Sequence, residues 1–247
     1  MFSAAYHTFL YNPLLNALLA LYNTVAFHDL GIAIILLTII VRTILFPVFQ
    51  KSVRYQAAMQ AIQPKITKLK EVHKNNLEEQ SRAMMALYKE HNVNPFSGIF
   101  FLFIQLPILI ALYQIFFQSL TPGHLTGIYS FIHIPQEINT TLFHLINLKN
   151  SSMVIVVIAA VAQYLQGRMG LSKTQQGQAP LQSERMARQM VFIGPLITIL
   201  ILWRMPAAVG LYWLTTSLFS LFQQYLVNKE SINQQPIHHG TLESLRS

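Results

Sequence analysis

Arg42 stands inside an otherwise apolar run, GIAIILLTIIVRTILFPVFQ, at positions 31–50. A run of roughly 20 residues is what the hydrocarbon core of a bilayer requires of a helix. Read as one straight helix, it places Arg42 about 13 Å before Lys51 at a rise of 1.5 Å per residue, farther than the side chain easily snorkels. A guanidinium at that depth costs about 2.5–3.5 kcal/mol even on the lenient insertion scale, so it faces a partner or a wet cavity. No Asp or Glu occurs inside any apolar run. An internal ion pair therefore lacks its acid, which favours a water-filled site that meets negative charge. Thr38 lies one turn earlier on the same face. Other polar side chains singled out in the apolar runs are Thr43, Gln105, Gln163, Tyr212, Trp213, Thr215 and Thr216. Buried amides often bond helix to helix, so Gln105 and Gln163 carry a structural reading beside the functional one. Tyr212 and Trp213 equally suit packing or an interfacial belt.

The chemistry that the chain lacks narrows the field. There is no GxxxxGK[ST] loop to cradle nucleotide phosphates and no HExxH zinc helix. No apolar run holds a His, so an intramembrane Ser–His pair has no source. His133 and His144 fall outside the spans, and the spans carry no paired carboxylates for proton coupling. Cysteine is absent, which removes disulfides, thiolate chemistry and a lipid-anchored cysteine. The expectation is a non-enzyme without cofactor or metal, whose work runs downhill.

These residues need helices in lipid to position them. Of the 247 residues, 53% are apolar and 11% charged, against about a quarter charged in a soluble domain. The mean hydropathy is +0.40. The net charge of +8 flanks apolar runs, so it speaks of topology rather than of specific nucleic acid. The opening MFSAAYHTFLYNP lacks a basic n-region and a convincing cleavage site, so no removable signal peptide is expected. Within residues 1–30, Asn12-Pro13 reads as an N-cap and first helical turn. The short helix after it leaves Leu15, Leu18, Leu19 and Tyr22 for lipid, as an interfacial helix would; packing against a bundle is the alternative. Spans are expected at 31–50, 95–120, 151–167, 189–204 and 206–227. The last two read as one helix would run roughly 57 Å, so Met205-Pro206 must turn the chain. Basic residues crowd 51–94 and 168–188, with Lys229 after the last span and only Lys149 in 121–150. That bias places the N-terminus outside and the 228–247 tail in the cytoplasm, with Arg204 the one dissenter. In 51–94, Met59, Ile62, Ile66, Leu69 and Val72 form an amphipathic stripe, His73–Asn76 breaks it, and Leu77, Met84, Met85 and Tyr88 resume it. The expected helical hairpin either only joins two spans or docks a ribosome, a signal-recognition component or lipid headgroups.

Several stretches, in order, resemble the YidC-type membrane protein insertases, relatives of the mitochondrial oxidase-assembly and thylakoid insertases. They are 31–47 with Thr38 and Arg42, IQPKITKLKE at 62–71, MMALYKEHNVNPFSG at 84–98, IQLPILIALY at 104–113, AQYLQ at 162–166, and MPAAVGLYW at 205–213 with Gln223-Gln224. The Pro206-Ala207-Ala208 turn departs from the family's Pro-Ala/Ser-Gly, with glycine displaced to Gly210, and the usual aromatic–Asp signature is not recognisable in 128–139. The resemblance implies an all-α polytopic membrane protein, close to a minimal five-span core. Its five transmembrane helices would enclose a hydrophilic groove, open to the cytoplasm and to lipid, with a cytoplasmic helical hairpin. Arg42, Gln163 and Trp213 match family groove positions; Thr38 and Gln105 are added here from face and polarity. Implied partners are nascent membrane proteins, the ribosome, signal-recognition components, the secretion channel and the lipids of a bacterial cell membrane. Rival readings are a small anion or metabolite transporter built on Arg42 and a purely structural assembly factor.

Overall fold

Pro47 divides the first apolar run. Its ring collides with the carbonyl four residues back, that of Thr43, and it offers no N–H to the ladder. In the computed structural model, which describes residues 2–94, 97–118, 126–169 and 182–233, α3 (Leu30–Ile44) therefore stops short. After Leu45, α4 (Phe46–Val72) begins at a 72° bend, with Pro47 in its first turn, where proline is tolerated. The straight helix expected over 31–50 is corrected: Arg42 lies in the last turn of α3, not midway along a span. Among the described residues no single helix is long and apolar enough to cross a membrane, while the bent pair passes by length and composition together. Lys173, part of the basic loop 168–188, lies outside the described residues, as does the 228–247 tail beyond residue 233.

The N-terminal region carries the other proline effect. α1 (Phe2–Tyr6) runs through a π-helical turn (His7–Tyr11) into α2 (Asn12–Thr24). The wider π turn accommodates Pro13, which cannot bond back to Phe9. Asn12 is itself helical, at φ −62° and ψ −46°, so it is not the N-cap its type suggested. The face carrying Leu15, Leu18, Leu19 and Tyr22, expected to lie free for lipid, is buried in the main core with Leu37, Leu112 and Tyr212.

Polar side chains of α2 and Asp29 then pin the segment 126–150. Asn16, buried, donates to the Gly127 carbonyl at 2.9 Å and accepts from the Tyr129 amide at 2.8 Å. The Tyr22 hydroxyl accepts from the Asn139 amide at 2.8 Å. Asp29 caps α3 by accepting from Ile32 N at 3.0 Å, and its second oxygen accepts from Phe143 N at 2.7 Å. Phe143 and His144 turn a two-stranded antiparallel hairpin, β1 (Thr141–Leu142) and β2 (Ile146–Asn147), an unexpected non-helical element. It presses on α3 at Gly31, where an added Cβ would lie 2.5 Å from Leu142 Cδ1.

The remaining helices are α5 (Leu77–Glu90), α6 (Ser97–Gln118), α7 (Met153–Met169), α8 (Gln182–Leu202) and α9 (Ala207–Asn233). The turn between α8 and α9 falls at residues 203–206, as Pro206 requires. The first amides of α9, which no helical carbonyl can reach, are taken by neighbours: Ala207 N donates to Asn150 O at 2.8 Å and Ala208 N to Leu148 O at 3.2 Å. α4 and α5 pack as a hairpin around Ile62, Ile66, Leu87 and Val93, with Met59, Leu69, Met84 and Tyr88 against them. Val72 and Leu77, at its bend, stay exposed.

Asp29 holds both the start of α3 and the hairpin, so Asp29→Ala should cost roughly 2–4 kcal/mol, a lost cap plus an orphaned amide. Asp29→Asn, which keeps one acceptor oxygen, should fall between. Thermal unfolding in detergent reads both.

Candidate functional site

Arg42 reaches its surroundings from the C-terminal turn of α3, where unpaired carbonyls favour a cation. It is only 7% exposed. One guanidinium nitrogen, Nη2, donates to Ser220 Oγ on α9 at 3.3 Å, and the ring of Phe49, in the second turn of α4, lies 4.2 Å from Cζ. The Tyr212 hydroxyl, two turns before Ser220 on the same face of α9, is close enough to interact electrostatically with the guanidinium. No carboxylate among the described residues comes within ion-pair reach of Arg42. On the hairpin, Glu78 pairs with Arg82, and Glu79 and Glu90 lie beside His73 and His91. A guanidinium carries five N–H donors, and a single hydroxyl engages one of them.

The helices bring some of the expected residues together and separate others. Gln105 of α6 donates to the Tyr212 hydroxyl, which joins it to the Arg42 neighbourhood. Thr38 is buried one turn above Arg42, but its hydroxyl donates to the Ile34 carbonyl at 2.7 Å, within its own helix. Trp213 is half-buried against the main core and precedes Ser220 by two turns on the same face of α9. Gln163 lies elsewhere: its carbonyl oxygen accepts from Thr198 of α8, and its amide nitrogen lies 3.3 Å from where a Cβ on Gly194 would stand. It bonds the α7–α8 seam, the helix-joining role that a buried amide often takes.

Sequence reasoning passed over Ser217 and Ser220, and it named Tyr212, Thr216 and Gln223-Gln224 without joining them into one face. Tyr212, Thr216, Ser220 and Gln224 recur at four-residue steps, which is one face of a helix, and Ser217 and Gln223 flank them. Ser217, Ser220, Gln223 and Gln224 are all buried. Gln224 donates to Asn228 at 3.0 Å, and Asn228 donates to the Met169 carbonyl at 3.2 Å. The signal was the four-residue recurrence itself, obscured because a helical Ser so often bonds back to its own backbone. The site is therefore a buried polar stripe on α9, faced by one cation from α3 and one amide from α6. No group of acidic, histidine or cysteine side chains able to hold a metal occurs among the described residues.

Such a chain is a helical protein built around a buried cation, and comparison with known proteins identifies its kind. Residues 20–235 match the family described as 60Kd inner membrane protein, and the chain belongs to that family. It is 31% identical over 222 residues to the membrane protein insertase YidC of Magnetococcus marinus, covering 90% of this chain and 36% of the relative. To the membrane protein insertase YidC of Francisella tularensis subsp. novicida it is 30% identical over 199 residues, covering 81% of this chain and 32% of the relative. The chain thus spans about a third of the length of these relatives. The resemblance read from its motifs holds.

The two glutamines should separate on mutation. Gln163→Leu should loosen the α7–α8 seam by about 1–3 kcal/mol, the cost of leaving Thr198 without its acceptor, with little effect on the surroundings of Arg42. Thermal unfolding would show the loss, and an unchanged midpoint would contradict the seam role.

Proposed function

We propose that the chain is a membrane protein insertase, one that moves short hydrophilic tails of nascent membrane proteins part-way through the bilayer and releases the attached helix sideways into lipid. The observation that carries this is the state of Arg42: permanently charged, almost fully buried, and without a carboxylate in reach among the described residues. A buried charge without a partner is costly. That cost fits a site whose counter-charge arrives on a substrate.

The barrier to insertion is the passage of polar side chains and backbone through hydrocarbon. A hydrophilic groove lined by Arg42, Tyr212 and Gln105, with Thr38 and Trp213 on adjoining turns, shortens that dry path. Arg42 attracts acidic residues of the tail, and a low local dielectric strengthens the attraction. Partition of the apolar helix into lipid is favourable by itself, so no ATP is needed. Gln163 supports the groove wall through the α7–α8 seam.

In this reading α3, α6, α7, α8 and α9 are the five spans. Exposed apolar side chains on them, among them Phe103, Ile110, Val154, Ile158, Leu196 and Phe222, support it, since lipid covers such surfaces without cost. The N-terminus lies outside and the C-terminus inside a bacterial inner membrane, following the basic bias. The α4–α5 hairpin receives the substrate, and it is the surface for a ribosome, signal-recognition component, secretion channel or lipid headgroup.

Reconstitution of this chain alone into liposomes, followed by synthesis of a single-spanning substrate with an acidic tail, tests the reading by protease protection of the tail. Arg42→Ala should weaken insertion about 5–30-fold, the equivalent of about 1–2 kcal/mol of lost attraction, and Arg42→Lys should retain most of it. Equal protection with all three proteins would contradict the charge role. Deletion of residues 56–91 should also lower insertion, and full activity without them would remove the hairpin from the mechanism.

A further inference from the structure

The first turns of α4 lie over Arg42. Phe49 places its ring 4.2 Å from the guanidinium carbon, which accounts in part for the low exposure of the charge. This part of α4 is tied to α9 by two contacts. Gln223 Nε2 donates to the Phe46 carbonyl at 3.4 Å, and the rings of Phe46 and Phe219 meet edge to face with centroids 6.3 Å apart. The chain passes from α3 into α4 through Leu45, whose ψ of 5° belongs to neither helix. At the same place two buried side-chain oxygens, Gln50 Oε1 and Gln223 Oε1, find no donor among the described residues. The covered position therefore carries a polar penalty that exposure to water would relieve. Stacking and the Gln223 bond act against that penalty.

We propose that Phe49 is a lid on Arg42 and a selectivity element: the first turns of α4 swing about Leu45–Pro47 and uncover the guanidinium for an acidic group. The attraction of a ring for a cation is weaker than a charge-assisted hydrogen bond from the same cation to a carboxylate. An acidic residue on a tail displaces Phe49; a neutral residue does not. The identity of the displacing group rests on the insertase reading above, but the lid itself does not.

The chain has no cysteine, so Ser220→Cys introduces a single thiol where Ser220 Oγ now meets Arg42. The full-length protein in detergent, without substrate, is treated with a small anionic or a small cationic methanethiosulfonate, and the rate of modification is followed. With Phe49 present both reagents should react slowly. Phe49→Leu, which keeps apolar bulk but removes the ring, should raise the rates about tenfold, the scale of a lost desolvated cation–ring contact, with the anionic reagent favoured. Phe49→Tyr, which keeps the ring, should stay slow, and Arg42→Ala added to Phe49→Leu should abolish the preference for the anion. Phe49→Leu as slow as the parent, or Phe49→Tyr as fast as Phe49→Leu, would overturn the lid. Thermal unfolding of each variant checks that the bundle is intact. Because no substrate is present, failure here leaves the insertion reading to its own assay. Failure of Arg42→Ala to alter insertion would fault that reading without touching these rates.

Discussion

A charge that cannot be shed is buried here without an opposite charge, and the rest of the molecule is arranged around tolerating it. Pro47 ends α3 at Ile44, so Arg42 sits among the unpaired carbonyls of a helix terminus rather than in mid-helix. α9 supplies Ser220 and Tyr212, α6 supplies Gln105 through that tyrosine, and α4 supplies an aromatic face. Each softens the burial, and none neutralises it. Polar contacts of this kind leave the cation able to exchange partners, whereas an internal carboxylate would have satisfied it.

The two ends of the bundle are built differently. At the end where α3 and α9 begin, Asn16, Tyr22 and Asp29 bind backbone groups of the segment 126–150, and that segment in turn caps α9. Side-chain to main-chain bonds between residues more than a hundred positions apart fix this end. At the other end, α4 leaves α3 at a 72° bend and continues into the hairpin, whose own small core is separate from the main one. One end is thus tied together by long-range polar bonds, while the other continues across a bend into a separate hairpin.

The helices and the want of an acidic partner for Arg42 were legible in the sequence, the first from hydropathy and the second from apolar runs without Asp or Glu. Where the helices break was less so. An apolar run reads the same across Pro47 whether or not the chain bends there, and the bend decides where in its helix Arg42 falls. The face of Leu15, Leu18, Leu19 and Tyr22 has one spacing for lipid and for protein, so periodicity could not tell an interfacial helix from a core one. The β-hairpin escaped because its turn uses Phe143 and His144 at positive φ instead of the usual Asn-Gly; the Asp29 bond to Phe143 N helps hold it there. In the site, residue types were readable but pairings were not. Gln105 and Gln163 look alike in sequence, and only the packing sends one to Tyr212 and the other to Thr198.

If Arg42 acts by charge on an acidic tail, reversing the charge on both sides exposes it. Wild-type and Arg42→Glu proteins, each reconstituted alone, would be offered one substrate with an acidic tail and one with a matched basic tail. Wild type should favour the acidic tail, and Arg42→Glu should lose that preference and gain on the basic tail. If both proteins translocate the two tails in the same ratio, the buried cation serves the packing of the bundle and not the passage of its substrates.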